Sequence, residues 1–249
     1  MATSAPAREK VDAKELFLQP VTSRNPFEES VTQLTWAIRL GAVAVGEKFP
    51  PERELGEMLH VSRTTVREAI RGLEQSGYIV TRRGRFGGTF VVRDGVKLSA
   101  RDRDRVLSPR LLETLDYRSA IEPGAAALAA RKADDAQIER MRALSALMRE
   151  ASITDFVRAN SRFHILLAQV ADCAPLLKTV TTLELQIMDA LLVVPRLEGR
   201  AAGSHAEHDA VVDGIAKGDE RAAREAMGDH LLGADSILRD LVAPRRRRR

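Results

Sequence analysis

The amino-acid sequence predicts a mainly α-helical protein of two domains, in which an N-terminal winged helix-turn-helix precedes an all-α helical bundle. A tight turn at His60–Ser62 is followed by a segment whose apolar residues recur at helical spacing. Two β-rich runs joined by a glycine-containing loop come next and predict a small hairpin wing. From Ser108 onward strand signals disappear, and helical patterns with capping residues take over. Capping-box spacing predicts helix starts at Asp134 with Gln137, at Ser152 with Asp155 and at Ser204 with Glu207.

The predicted helix that begins at Arg63 carries residues suited to DNA. Arg63 and Arg67 lie one turn apart, so both project from the same exposed face near the helix N-terminus. A recognition helix meets base edges in the major groove at this end, and the planar fork of arginine bonds guanine O6 and N7 together. Thr64 and Thr65 are short donors for phosphates. Taken alone, the helix is equally typical of a surface helix with ordinary arginines.

The predicted wing favours DNA over that alternative. Runs at residues 78–80 and 89–92 flank a loop that holds three arginines, and Gly87–Gly88 let the backbone approach a narrow surface closely. Residues 60–93 contain seven arginines against two glutamates. A basic hairpin beside a basic helix is the charge pattern of a DNA-binding surface.

Spaced motifs run through the whole of this segment: Leu34–Ile38, Gly46–Pro50, Glu52–Leu55, Val61–Arg63, Val66–Ala69, Leu73–Glu74 and Gly88–Val91. With them, residues 28–93 resemble the winged-helix domain of the GntR family of bacterial transcription regulators. By position, the resemblance implies DNA contacts from Arg53, Arg63 and Arg67, assisted by Thr64, Thr65 and the wing glycine Gly87. Pro51 and Gly56 depart from the family pattern, and neither lies on the predicted DNA-contacting face.

Charge and composition indicate an intracellular protein with a DNA-facing front half. Residues 1–107 carry a net charge of +4 and residues 108–244 one of −5, while Arg245–Arg249 add five positive charges. Cys173 is the single cysteine, which excludes an internal disulfide and is typical of a reducing cytoplasm. With no long apolar run and no apolar signal core, we expect a cytoplasmic protein with no membrane partner, associated with the nucleoid when bound to DNA.

The same patterns predict a domain layout. It comprises a flexible N-terminal arm (1–26), the winged helix-turn-helix (27–93), a charged linker (94–107), a helical domain (108–243) for which the family resemblance given below implies effector binding and dimerisation, and a basic tail (244–249).

Three histidines of the predicted bundle are placed so that they can converge. His164 follows Asn160 by four residues on one predicted helix, so the two share a face, while His208 and His230 lie on the last two helices. Imidazoles and a side-chain carbonyl from three helices can bind a divalent cation in a bundle core. The competing interpretation is that each histidine is separately satisfied or exposed.

Further motifs follow in the second half: Arg118–Pro123, Ala125–Ala130, Asn160–His164, Glu207–His208 and His230–Leu231. With them, residues 108–241 resemble the FCD effector domain of the FadR subfamily of GntR regulators. The resemblance implies a divalent metal, Zn²⁺ or Ni²⁺, on Asn160, His164, His208 and His230. We expect His205 to be a surface residue rather than a further ligand.

A neutral ligand set predicts an anionic effector. Asn160 and three imidazoles leave the cation's charge uncompensated, so a small carboxylate can coordinate it and gain from that charge. Arg118 is the candidate clamp for the effector carboxylate. The alternative for Arg118 is an ion pair with Glu122, its i+4 neighbour.

These features together predict a ligand-responsive transcription regulator, a repressor that binds a palindromic double-stranded operator as a homodimer. Leu111, Leu112 and Leu115 are candidates for the dimer contact. One alternative is a metal-sensing regulator in which the cation itself is the signal. A second alternative is a metal-dependent hydrolase, but no Glu or Asp of this chain is clearly placed as its general base. A third is a nucleoid-type DNA protein with little sequence preference. We predict a regulator and not an enzyme.

Overall fold

The computed structural model describes residues 18, 25–95, 100–149, 151–194 and 198–242, with the backbone alone at residues 100–102 and 198–204. The predicted basic tail and most of the predicted N-terminal arm lie outside the described residues. The chain forms two compact units, residues 1–97 and 98–249.

The first unit is a winged helix-turn-helix, as predicted, and its described residues form three helices. Its two strands are antiparallel, with Ile79 opposite Val91 and Arg82 opposite Gly88. A bridge between Lys48 and Phe90 adds a short third segment to the hairpin. The elements are α1 (Pro26–Arg39), α2 (Glu52–Leu59), α3 (Arg63–Gln75), β1 (Ile79–Arg82) and β2 (Gly88–Val91).

Local sequence explains the turn between α2 and α3. His60 adopts a left-handed conformation with φ of 53° and ends α2. Ser62 then caps α3, because its side chain accepts a hydrogen bond from the N–H of Thr65. The apolar residues Val66, Ile70 and Leu73 are buried, which leaves the opposite face of α3 for function.

The second unit is an all-α bundle, as predicted. Within the described residues, none of the helices is long and apolar enough to cross a membrane. Its first helix, α4, lies inside the predicted linker, where a short and highly charged helix has no apolar period to reveal it. The elements are α4 (Ala100–Val106), α5 (Arg110–Lys132), α6 (Asp135–Leu147), α7 (Ile153–Val170), α8 (Ala174–Leu192), α9 (Glu198–Ala216) and α10 (Glu220–Val242).

Two of the three predicted capping boxes lie at helix starts. Asp134 and Gln137 exchange both hydrogen bonds at the start of α6, and Ser152 caps α7. The helix start predicted at Ser204 is wrong, because α9 runs unbroken from Glu198. Capping-box spacing occurs by chance inside helices, where backbone hydrogen bonds already satisfy the same N–H groups.

The leucines predicted for the dimer contact are covered by their own chain. Leu111 and Leu115 are 4% and 0% exposed, and only Leu112 is half-buried. They lie on α5, which packs along α10 and also contacts α7 and α8. Helical spacing identifies an apolar face but not the element that covers it.

Helices α9 and α10 approach each other closely at Gly214, where a Cβ would lie 2.7 Å from the backbone nitrogen of Ala223. One helix must shift to admit that atom, so we expect Gly214→Ala to lower the free energy of unfolding by about 1–3 kcal/mol. Gly228 on α10 faces open space, and Gly228→Ala should raise the free energy of unfolding by roughly 0.5–1 kcal/mol. Chemical denaturation of both variants is the measurement, and equal effects would contradict this packing.

Candidate metal centre and DNA-contacting surface

The N-terminal turn of α3 presents the predicted DNA-contacting residues. Arg63, Thr64 and Arg67 are exposed, while Thr65 is half-buried. The hydroxyl of Thr65 lies 2.9 Å from that of Ser62, and its N–H donates to the same oxygen at 3.1 Å. The Ser62 cap therefore contacts Thr65, while the side chains of Arg63 and Arg67 are exposed on the helix.

Carboxylates hold two of the three predicted DNA-contacting arginines. Arg67 donates from Nε and Nη2 to Oε2 of Glu52, at 3.2 and 2.9 Å. Arg53 donates from Nη1 to Glu57 at 2.8 Å, although both of those side chains are more than half exposed. The Glu52 contact uses one edge of the Arg67 guanidinium and leaves Nη1 for another acceptor. Sequence reasoning missed Glu52, because this pair joins two different helices.

The wing is braced against the rest of the first unit. The carbonyl oxygen of Gly87 accepts a hydrogen bond from Lys48 Nζ at 2.6 Å. At the base of the hairpin, the N–H of Thr81 donates to Glu74 of α3 at 2.7 Å. These bonds hold the wing and α3 in one fixed arrangement, so both can meet a duplex together.

Three predicted metal ligands meet in the interior of the second unit. His164 of α7, His208 of α9 and His230 of α10 are each at most 1% exposed. Each has a ring nitrogen within 4.8 Å of those of the other two. Asn160 is 5% exposed and lies one turn before His164 on α7; its ligand role stays a prediction. His205, expected on the surface, is half-buried.

Carboxylates fix the orientation of two of these imidazoles. Nδ1 of His164 lies 2.7 Å from Oε2 of Glu122, and Nδ1 of His230 lies 2.8 Å from Oε2 of Glu207. The hydrogen bond between His230 and Glu207 favours the tautomer of His230 that carries its proton on Nδ1 and leaves Nε2 as a lone pair, whereas the contact of His164 with Glu122 is an ion-pair distance without hydrogen-bond geometry. The Nε2 atoms of His164 and His230 face each other at 3.3 Å.

The interior favours the neutral form of His164 and His230. Burial lowers the pKa of His164 well below its usual value, and the positive charge of Arg118 adds to that effect. Burial also lowers the pKa of His230 well below its usual value, and the neighbouring His164 lowers it further. Neutral imidazole is the form that binds metal, so the histidines need not lose a proton first.

This geometry suits a divalent cation. Two ligands about 2.05 Å from a tetrahedral ion lie about 3.3 Å apart, which matches the spacing of the two facing nitrogens. Two lone pairs at that distance repel each other unless a cation or a proton lies between them. The nitrogen donor set favours Zn²⁺ or Ni²⁺ over Mg²⁺ or Ca²⁺.

Arg118 lies beside this cluster, and its guanidinium forms ion pairs with three carboxylates. Its Nε lies 2.9 Å from Glu122, its Nη2 3.0 Å from Glu184 of α8, and its Nη1 3.4 Å from Asp235 of α10. Arg118 is 1% exposed, so these are interior contacts. The i+4 pair with Glu122 considered from the sequence is present, and Glu184 and Asp235 gave no sequence signal. The effector role of Arg118 stays a prediction.

The buried carboxylates change the charge argument made from the sequence. Burial raises the pKa of Glu184 to about 8, against the opposing influence of Arg118. Burial also raises the pKa of Asp235, again against Arg118. Glu122 and Glu207 each contact a ring of the cluster, so negative charge already surrounds it. The sequence argument counted only the direct ligands, and the expectation of an uncompensated cation stays a prediction.

Comparison with known proteins identifies the family. The model for bacterial regulatory proteins of the gntR family matches residues 28–91, and the FCD domain model matches residues 113–233. A putative L-lactate dehydrogenase operon regulatory protein of Escherichia coli K12 is 30% identical over 204 residues, which cover 75% of this chain and 76% of that protein. The chain belongs to the GntR family.

Other comparisons agree with this assignment. The putative HTH-type transcriptional regulator RmpR of Mycobacterium gastri is 39% identical over 142 residues, or 55% of this chain and 52% of that protein. The solved structure of E. coli McbR/YncC shares the fold, with a TM-score of 0.51 at 16% identity over 88% of this chain and 99% of that one. As a GntR-family protein with an FCD domain, the chain is a DNA-binding transcription regulator of the FadR type, and its relatives are regulators rather than enzymes.

The Glu52–Arg67 pair predicts how this regulator distinguishes DNA sequences. Glu52→Gln frees the Arg67 side chain and removes a negative charge near the phosphates. We expect the preference for duplexes enriched from a random pool over a scrambled duplex to fall about tenfold. Fluorescence anisotropy with both duplexes measures this ratio.

Glu57→Gln is the matched control, because it removes the same charge from an exposed pair with Arg53. An unchanged preference in Glu52→Gln, or an equal fall in the two variants, would contradict a positioning role for Glu52.

Proposed function

We propose that the chain is a transcriptional repressor whose helical unit binds a divalent cation and a small organic acid that lowers its affinity for DNA. The cation would be held by Asn160, His164, His208 and His230. DNA contacts would come from Arg53, Arg63, Thr64, Thr65, Arg67 and Gly87. Membership of the GntR family and the FCD domain supports the regulatory part, and the convergence of His164, His208 and His230 supports the metal part.

The observation that carries the metal proposal is the pair of facing nitrogens. His164 and His230 each place Nδ1 on a carboxylate and turn Nε2 toward the other ring at 3.3 Å. If both Nε2 atoms carry lone pairs they repel each other at this distance, and a shared cation satisfies both. The cation, when bound, supplies a Lewis-acidic point to which a carboxylate can coordinate.

An effector that reaches Arg118 must displace an internal carboxylate. Asp235 is the candidate, because its contact with Nη1 is the longest of the three at 3.4 Å. Burial raises the pKa of Asp235, so giving up its ion pair in the protonated form is less costly than for an exposed aspartate. Displacement would loosen the tie between α5 and α10. A ligand shifts an equilibrium only when it binds two states unequally, and this exchange supplies such a difference.

We further propose that two copies bind one palindromic operator. Two DNA-contacting units related by a twofold axis would meet two half-sites with the same residues, which is how helix-turn-helix dimers dock. Leu111 and Leu115 are covered within the chain and are not the proposed contact.

A metal sensor is the second candidate, and the interior charges favour it. Glu122 lies 2.7 Å from His164, and Glu207 lies 2.8 Å from His230. Negative charge supplied from within the protein can balance a cation without an added anion. In that case the cation alone would change the affinity for DNA.

One DNA-binding experiment separates these proposals. The full-length chain is treated with chelator, and its affinity for duplexes enriched from a random pool is measured with Zn²⁺, with small carboxylates including L-lactate, and with both. We expect an affinity loss of about tenfold or more only when both are present. Loss with Zn²⁺ alone would establish the metal sensor instead, and no response in any condition would contradict both.

Two variants separate the functions of the two units. His208→Ala should lose the response to added ligands and still bind the enriched duplex. Arg63→Ala should weaken DNA binding by about 1–3 kcal/mol and retain Zn²⁺ binding, since it lies in the other unit. Loss of both activities in either variant would contradict the assignment of one activity to each unit.

A further inference from the structure

Phe86 is the most exposed large hydrophobic side chain in the described part of the chain. It is 87% exposed at the tip of the wing, whereas Phe49 and Val91 of the same hairpin region are buried. A turn at the end of a hairpin is usually polar, so packing within the chain does not explain a phenylalanine there.

The turn that carries Phe86 is narrow and rigid. The N–H of Gly87 donates to the carbonyl oxygen of Gly84 at 2.8 Å, which places Arg85 and Phe86 at the two central positions. A Cβ at Gly87 would lie 2.9 Å from that same oxygen, so only glycine fits. Lys48 braces the turn through the carbonyl of Gly87. These two hydrogen bonds therefore hold the turn that carries the Phe86 ring.

One cation lies beside the exposed ring, and two more lie nearby along the wing. Arg85 shares the turn with Phe86, Arg82 ends β1 and Arg83 follows it, and all three side chains are exposed. The guanidinium of Arg82 lies over Phe90 at 5.1 Å, and that of Arg85 lies 5.8 Å from the centre of the Phe86 ring. An apolar tip on an arginine-rich wing is complementary to a groove whose floor is stacked bases and whose walls are phosphates.

The minor groove is the groove that matches this tip. The recognition helix occupies the major groove, and the minor groove beside it is only about 6 Å wide, which admits a narrow turn. Arginine side chains are drawn to narrow minor grooves by their negative potential. Apolar side chains that enter there separate neighbouring base pairs and kink the duplex.

We propose that Phe86 is a wedge that inserts between base pairs in the minor groove and bends the DNA. Flexible pyrimidine–purine steps open most easily, so the wing favours such a step without forming a hydrogen bond to it. The DNA bend is a second activity of the wing, separate from the base contacts of α3.

Bending is tested with the full-length chain and a duplex enriched from a random pool, labelled at its two ends for energy transfer. At saturating protein we expect a bend of about 20–90° with the unaltered chain. Phe86→Ala should lose more than half of the bend, and Phe86→Leu, which keeps an apolar wedge, should retain it. Both variants should melt at the temperature of the unaltered chain, because the side chain is exposed.

Arg85→Ala is the charge control, and it should weaken binding and its salt dependence while keeping the bend at saturation. A 2-aminopurine at the step opposite the wing should brighten with the unaltered chain and stay dark with Phe86→Ala. An equal bend in Phe86→Ala, or no bend with the unaltered chain, would overturn the proposal. Weaker binding of Phe86→Ala with an unchanged bend would also overturn it, since that result assigns Phe86 a surface contact only.

Discussion

The shared carboxylate of Glu122 is the interaction on which the helical unit depends. One of its oxygens accepts from Arg118 and the other lies 2.7 Å from Nδ1 of His164. Arg118 in turn reaches Glu184 of α8 and Asp235 of α10, so four helices meet at one set of buried charges. A buried ion pair is costly when one partner is lost, because the remaining charge stays buried without compensation. The histidine cluster and the packing of the bundle are therefore parts of a single network.

This network also explains how a ligand can affect the whole unit. The candidate metal ligands lie on α7, α9 and α10, and the charges beside them lie on α5, α8 and α10. Any change at the histidines that moves Glu122 alters the balance of contacts around Arg118. Interiors are close-packed, so a displacement there is transmitted as a helix shift and is not absorbed locally. DNA binding responds to such a helix shift if the shifted and unshifted arrangements of the helical unit bind DNA with unequal affinity.

Sequence patterns predicted what depends on neighbours along the chain. Helix periodicity, the helix start at Arg63 and the spacing of Asn160 and His164 are local, and each lies where it was expected. The family resemblance supplied the histidines of distant helices. Glu184 and Asp235 were missed because their partner, Arg118, lies 66 and 117 positions away and no local pattern connects them. Glu207 was missed as the partner of His230 for the same reason, and the cation's charge was therefore expected to be uncompensated.

The central claim, a cation site built from histidines held by carboxylates, is tested most directly by titrating Zn²⁺ into the chelated full-length chain in a calorimeter. The account predicts one ion per chain, no binding in His164→Ala, and an affinity about 10–100-fold weaker in Glu207→Gln. Glu207 is the carboxylate to vary, because 46% of its side chain is exposed and its replacement leaves the buried Arg118 network intact. No binding by the unaltered chain, or equal affinity in Glu207→Gln, would contradict it.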